Sequence, residues 1–429
     1  MRGKHMLGIG VALLTASATI AAPPASQAPS ADAMTVPGWM AFTDQLREIA
    51  PMALAKLPPA ARDNPQVRQE VGRLLLASLA MRAIAEISDD GNHPIFLPTL
   101  GQTLSIYQPN ADTVYRYAVI APGGTYRLRG TRGSLRLAKI GEYLRHPSHM
   151  SQLSDVRAFG YHDLNALNVD AEGRFDVILS PERPAGYTGD WWPLDRRTGA
   201  LGIRQVASDW AKERDPTISI EKLDGPAARP RPSAQSLRAR LDEMATTTAN
   251  TAVMLLDHLD ELRRQGYVHK FKAWDQLMSS GGLEGQFYYE SVYELKDDEA
   301  LIVESRVPAK CTYYSLILTN EIFETTDWYN NHSSLNDSQS RVDADGVLRI
   351  VVSAKDPGVP NWLATADYPT GVIQGRWLGC QSQPLPSIRK IRLSEVRGQL
   401  PRDTPVVTPQ QRELQIRERR SQLQQRILW

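Results

Sequence analysis

Val169-Asp170-Ala171-Glu172-Gly173-Arg174-Phe175-Asp176-Val177-Ile178-Leu179-Ser180 returns 173 residues later as Val342-Asp343-Ala344-Asp345-Gly346-Val347-Leu348-Arg349-Ile350-Val351-Val352-Ser353. Each segment is an acidic turn closed by glycine and followed by an apolar run, the signature of a hairpin turn entering a strand. Such turns are common, so one match would carry nothing. Two further pairs keep the order and nearly the offset. Thr198-Gly199 leads to Arg204 as Thr370-Gly371 leads to Arg376, and Val114-Tyr115-Arg116-Tyr117 before Gly123-Gly124 is echoed by Tyr288-Tyr289-Glu290-Ser291 before Asp297-Asp298. A duplication follows, with a period far longer than a solenoid's. The fold class is α+β and mainly β: two related domains of β-sandwich or jelly-roll type, at residues 95–205 and 285–400.

Working outward, residues 206–284 read as a linker and helical insert. Proline marks its start at residues 226–232. From Ser233 a long helix to residue 264 carries Leu237, Leu241, Met244, Val253, Leu256 and Leu259 on one side, and residues 272–277 suit a further turn before Gly281-Gly282. Ahead of the first domain, residues 38–94 predict a helical pair. Phe42, Leu46, Ile49 and Ala53 recur at helical spacing, and Asn64-Pro65 offers a cap and first-turn proline to a second stripe of Val67, Val71, Leu74, Leu75 and Leu79. This pair is expected to pack on the first sheet. At the other end, residues 401–429 form a C-terminal helix opened by Thr408-Pro409-Gln410-Gln411, a capping box with proline in the first turn. Its arginines read as solvated, and its packing face as Leu414, Leu423 and Ile427.

The first 22 residues have the form of an export signal: Arg2, Lys4 and His5, then an apolar run to residue 22 rich in small residues, with cleavage expected between residues 18 and 28. Residues 23–37, rich in Ala, Pro and Ser, read as a disordered linker. The expected address is periplasmic or secreted, with no transmembrane span once the signal is cleaved. The 49 basic and 48 acidic residues of the 429 give a net charge of +1. That balance argues against a nucleic-acid partner, which needs a strong basic field. The cysteines number two. In an exported chain they are expected to pair, Cys311 with Cys380, both flanking strands of one domain.

The chain resembles the bacterial family called domain of unknown function 1214, often accompanied by a partner domain, 1254. The resemblance rests on Cys311-Thr312-Tyr313-Tyr314-Ser315-Leu316, on Asp327-Trp328, and on the segment from Asp356-Pro357-Gly358 to Gly375-Arg376-Trp377. It rests also on Asn110-Ala111-Asp112-Thr113-Val114-Tyr115-Arg116, where the partner family tends to have proline in place of Ala111. It implies β-sandwich or jelly-roll domains with helical additions, and no catalytic residues.

The common motifs of nucleotide binding, serine hydrolysis and zinc proteolysis are missing, and no cofactor or metal is expected. His146-Pro147-Ser148-His149 with His162 lacks a carboxylate at ligand spacing and suits loop histidines better than a metal site. The polar, aromatic loop from Asp327 to Asn336 is the principal candidate for a site. Asp327 suits an acid or base, with His332 near it in sequence. Trp328 suits stacking, and Asn331 suits hydrogen bonding to hydroxyls. The same residues equally suit a structural loop whose amides cap turns. From the first copy, Asn110, Asp112, Tyr115 and Arg116 sit at a strand entry, where a sandwich rim would bring them to a shared inter-domain pocket. Arg204 and Arg376, matched between the copies, suit either an anion clamp or two structural ion pairs. The Asp190-Trp191-Trp192 segment suits a sugar platform or a plug for the sandwich end. The favoured function is an exported enzyme acting on a small polar, hydroxyl-rich or aromatic substrate by acid–base chemistry in that inter-domain pocket; the alternatives are a non-catalytic ligand-binding protein and an envelope structural or interaction protein.

Overall fold

A computed structural model of the chain describes residues 35–149, 158–274 and 282–426. The signal segment, nearly all of the linker after it, Ile427 and the second half of the 272–277 turn lie outside the described residues; the first half is not a helical turn, since Lys272–Ala273 form a short strand. The N-terminal helices are α1 (Trp39–Ala55), α2 (Pro59–Arg62) and α3 (Pro65–Ser88). As expected, the Asn64 side chain accepts from the Gln66 amide at the start of α3, and Pro65 takes the first turn. The first domain holds β1 (Leu97–Pro98), β2 (Thr113–Val119), β3 (Tyr126–Thr131), β4 (Leu137–Tyr143), β5 (Ala158–Asp163), β6 (Arg174–Ser180), β7 (Asp190–Pro193), β8 (Ala200–Val206) and β9 (Thr217–Lys222). Two helices follow, α4 (Ala234–Val253) and α5 (His258–Arg264). The second domain holds β10 (Lys272–Ala273), β11 (Gln286–Glu294), β12 (Glu299–Arg306), β13 (Tyr313–Leu318), β14 (Ser334–Asn336), β15 (Val347–Ser353), β16 (Trp362–Ala364), β17 (Thr370–Leu378) and β18 (Ser387–Arg392), followed by α6 (Val396–Gln399) and α7 (Pro409–Gln424).

Each domain is a sandwich of a five-stranded and a four-stranded sheet. The orders are β1-β2-β8-β4-β5 over β7-β6-β3-β9 in the first, and β10-β11-β17-β13-β14 over β16-β15-β12-β18 in the second. Adding nine to each strand number of the first domain gives the second, including the one parallel pair in each, β6 with β7 and β15 with β16. The repeated turns fall at equivalent places, ahead of β6 and β15, and Gly173 and Gly346 both adopt the positive φ that closes them. The first sandwich runs on through β9, which pairs with β3 beyond residue 205.

Strand alternation divides each five-stranded sheet. Ala118, Ile140, Leu201 and Ile203 face the first core, and Tyr289, Tyr293, Ile373 and Trp377 the second. The opposite faces turn toward each other, so that Leu137 and Val206 of the first domain pack on Tyr313 and Leu378 of the second.

The helices differ from their sequence reading in three ways. The expected long insert helix breaks after Val253 and resumes at His258. Its buried face is Ala245, Thr248, Ala249, Thr251 and Ala252, small side chains that let α1 and α3 approach closely, while Leu237 is exposed. The N-terminal helices pack on that insert, on Ile106 and on Ile322 of the second domain, rather than on the first sheet. On α7 the capping box is as expected, Gln411 N donating to Thr408 Oγ1 and Thr408 N to Gln411 Oε1. Its packing face is not: Leu414 is exposed, and the buried stripe is Arg412, Arg419 and Leu423. No helix among the described residues is long and apolar enough to cross a membrane.

Candidate functional site

The two facing sheets enclose a cavity of about 130 Å³. On β2 and β8, Tyr115 lies directly opposite Arg204; on β11 and β17, Tyr288 lies directly opposite Arg376. All four line the cavity. The duplication thus delivers the same Tyr–Arg pair to one space from both sides. Tyr117, Tyr143, Asn110, Gln374 and Trp274 complete much of the wall. Among the described residues the lining contains two arginines and no carboxylate or histidine.

The two arginines are held differently. Arg204 sits among the hydroxyls of Tyr117, Tyr143 and Tyr288, which favour its charged form against burial. Arg376 is 3 % exposed; its Nη2 donates to Gln374 Oε1, and its guanidinium carbon lies 5.7 Å from the centre of the Tyr288 ring. Among the described residues no carboxylate lies within ion-pair distance of Arg376, and its Nε has no hydrogen-bond partner. A guanidinium stays charged in a protein; the buried Asp112 carboxyl acts on Arg376 from beyond ion-pair distance, but its own oxygens are already bonded to Trp210, Asn336 and Tyr313. Tyr107 and Gln108, also in the lining, have φ of 56° and 62°. Consecutive left-handed non-glycine residues mark local strain of the kind found at ligand sites.

A second cavity, of about 240 Å³, shares Leu100, Thr113 and Tyr115 with the first. Its remaining wall is largely apolar and includes Ala80 and Ile84 of α3, Leu104, Trp328 and Leu423.

The residues singled out in the sequence fall into three groups. Asn110 and Tyr115 line the arginine cavity, and the Asn110 amide donates to Tyr313 OH at 2.9 Å and to Thr113 Oγ1 at 3.1 Å. Asp112 lies at the domain junction rather than in the lining. It accepts from Trp210 Nε1 at 2.8 Å, Asn336 Nδ2 at 2.8 Å and Tyr313 OH at 2.5 Å. Burial pushes its carboxyl above the usual range, against the pull of those donors. Arg116 follows Tyr115 by one residue, so alternation turns it to the sandwich side, where it binds Gln205 Oε1 and the Pro216 carbonyl.

The loop residues do not gather in the arginine cavity. Asp327 is a turn cap: its Oδ1 accepts from the Tyr329 and Asn330 amides and from Gln102 Nε2, and its Oδ2 from Asn330 Nδ2. Asn331 Nδ2 donates back to the Asp327 carbonyl. Trp328 is buried against the first core and lines the apolar cavity. His332 is buried, stacked on the Trp362 ring, with Nδ1 2.6 Å from the Trp362 carbonyl. Burial, with Arg419 and Arg412 nearby, pushes its pKa well below the usual imidazole value. A histidine held neutral, with one nitrogen on a backbone carbonyl, is poorly placed to carry a proton to a ligand.

The histidines of the first domain are dispersed. His146 packs edge-on against Tyr117, His149 approaches Asp89, and His162 pairs with Glu142 while stacking on Trp192. Among the described residues no three His, Cys, Asp or Glu side chains gather as a metal site. Trp191 donates to Ser180 Oγ and Trp192 packs on the first core, so this pair closes the sandwich. Cys311 and Cys380 form a disulfide. Arg204, Arg376, Tyr288 and Gln374 are the lining residues whose role the sequence left open or did not raise. The signals were the matched Thr-Gly to Arg spacing and the echo of the Tyr115 segment in the Tyr288 segment.

Fold and cavity define a tandem double β-sandwich with a cationic cavity on the seam between its copies. Residues 294–373 match the family described as "Protein of unknown function (DUF1214)". A crystal structure of an uncharacterized protein from Burkholderia cenocepacia is 27% identical and has a TM-score of 0.75, covering 83% of this chain and 97% of its own. The VPA0106 protein from Vibrio parahaemolyticus is 14% identical over 82% of this chain and all of its own, with a TM-score of 0.43. No curated protein matches the chain.

Proposed function

We propose that the protein binds a small organic anion, a carboxylate with an aromatic or apolar body, in the cavity between its two domains. One observation carries this: the buried Arg376 guanidinium in the cavity wall has no carboxylate partner among the described residues. A bound carboxylate would give Arg376 the direct ion pair that Asp112, farther off, does not make, through hydrogen bonds of the strong, charge-assisted kind. Tyr115, Tyr117, Tyr143 and Tyr288 offer ring faces and hydroxyls for the body of the ligand. The volume, about 130 Å³, is close to the roughly 150 Å³ that takes up benzene in an engineered cavity.

This is a binding reading. Among the described residues the lining offers no carboxylate or histidine for proton transfer, Asp327 is spent on its own turn, and His332 lies under the C-terminal helix. We also propose that the chain works after export, in the periplasm or outside the cell, for which the N-terminal pattern and the Cys311–Cys380 disulfide speak. The first half is proposed to be the partner domain 1254, on the strength of the Asn110 to Arg116 segment at the start of β2.

The test is calorimetric titration of the full chain with benzoate, butanoate and the neutral analogue benzamide. Benzoate is expected to bind, benzamide much more weakly, and Arg376→Met to lower benzoate affinity at least tenfold while leaving the fold intact by circular dichroism. Equal binding of benzoate and benzamide would overturn the proposal.

A further inference from the structure

Resting on that reading, we propose that the two cavities are one bipartite site, and that the ligand is an amphipathic monocarboxylate. Its head sits by Arg376 and its hydrocarbon tail runs past Leu100, Thr113 and Tyr115 into the second cavity. These three residues line both spaces, so the spaces are separated by the thickness of their side chains. The chemistry changes sharply across that wall. On one side stand Arg204, Arg376, Gln374 and Asn110; on the other, Ala80, Ile84, Leu104, Trp328 and Leu423, the polar residues there, Arg426 and Gln102, being already bonded to Asp215 and Asp327. A charged head with a long apolar tail matches that division. A sugar or a compact polar metabolite does not, because it would leave the larger space, about 240 Å³, without a complementary occupant.

Tyr115 is the element between the two. It is only half-buried, and its hydroxyl holds a single long contact, the Asn110 amide at 3.2 Å. Its ring can therefore shift without breaking a buried network. Thr113 is anchored by the Asn110 side chain on the arginine side, and Leu100 presents only methyl groups. A tail crossing here meets no charged group.

The wall of the second cavity is supplied by four parts of the fold at once. Helix α3 gives Ala80 and Ile84, the loop before β2 gives Leu104, the second domain gives Trp328, and α7 gives Leu423. The polar, aromatic loop that stands out in the sequence would then serve the ligand's tail through Trp328, rather than its reacting group through Asp327.

The experiment is a titration of the full chain with butanoate, hexanoate, octanoate and decanoate, and with 1-decanol as the uncharged control. Each methylene that enters the second cavity is expected to tighten binding roughly fourfold, the equivalent of about 0.8 kcal/mol. Ala80→Phe and Ile84→Trp, which fill that cavity from positions outside the lining of the arginine cavity, are expected to abolish the increase while leaving butanoate unchanged. Two independent fillings guard against one that misfolds, and circular dichroism identifies it. Butanoate binding with no dependence on chain length would overturn the bipartite site and leave the anion reading standing. A dependence on chain length that survives both fillings would overturn it equally. Decanol binding as tightly as decanoate, with Arg376→Met silent, would overturn the anion reading itself.

Discussion

Asp112 shows how a residue can be prominent in the sequence for a reason other than chemistry. Its carboxylate accepts from one side chain of its own domain, Trp210, and two of the other, Tyr313 and Asn336. Asp112→Asn would turn an amide N–H₂ against groups that are already donors, leaving a buried donor unsatisfied at a cost of about 1–3 kcal/mol. The expected outcome is a lower urea midpoint with benzoate affinity changed little; an unchanged midpoint would refute the bridging role. Two other residues, both buried histidines, contribute to acid sensitivity. Burial, opposed by Asp89 and reinforced by His149 and Arg82, pulls His146 down to about 4, and His332 lies well below its ordinary 6.5. Both folded values are depressed, so the stability they contribute is present above pH 6.5 and is lost as pH falls toward the folded values. His146 alone accounts for about 3 kcal/mol between pH 7 and pH 4. Urea midpoints across that range should fall steeply, and His332→Asn, which keeps a donor for the Trp362 carbonyl, should flatten the curve. At this scale the sequence was half legible. The matched Arg204 and Arg376 were visible as a pair, but spacing does not say which face of a strand is buried or whether a carboxylate waits opposite. Asp327 looked free because a turn cap consumes a carboxylate through backbone amides that no sequence pattern displays.

At the scale of the element, α7 is the clearest case of a start that sequence gives and a face that it conceals. The Thr408 cap follows from local chemistry alone. The buried arginines do not, because a long basic side chain reads as solvated until its partners are known. The signal available was spacing: Arg412, Arg419 and Arg426 recur every seven residues, on one side of a helix. Arg412 pairs with Asp356 and reaches the Val359 carbonyl, and Arg419 bonds Ser334 and Gln339 of the second domain while lying over the Trp210 ring of the first. Arg426, just past the helix, pairs with Asp215 and the carbonyls of Asp112 and Gln205 in the first domain. The helix is thus a strap across both sandwiches. Arg426→Met should be costly, about 3–5 kcal/mol, because Asp215 is left buried without its partner. Leu414→Ala, on the exposed side, should shift the denaturation midpoint hardly at all. Equal effects from the two would refute the strap. The insert helix makes the same point from the other side, since its Ala and Thr face buries less area per residue than leucines would and was invisible to an apolar count.

For the whole molecule the duplication was legible because it lives in turns and strand entries, which local chemistry fixes. How the copies meet was not legible, because the seam is built from outer faces that a lone sandwich would expose to water. That seam makes one further outcome calculable. The Cys311–Cys380 bond closes a loop of 69 residues holding β13 to β17 of the second domain. By the chain-entropy model such a closure contributes about 4 kcal/mol, often less in practice. Two independent sandwiches would express that loss as an early transition in the second domain alone. Here Tyr313, on the strand next to Cys311, bonds Asp112 of the first domain, Asn336 bonds Asp112 and the Ser208 carbonyl, and α7 grips both sides. Opening the second domain would therefore strand buried polar groups in the first. The double variant Cys311→Ser, Cys380→Ser is expected to unfold at lower urea in one transition, with tryptophan fluorescence and far-ultraviolet circular dichroism superimposed. The comparison has a built-in control: Arg426→Met in the same background cuts the strap's hold on the first domain and should split the curve in two. A biphasic curve in the double serine variant alone would mean that the seam couples the domains too weakly to hold a cavity between them.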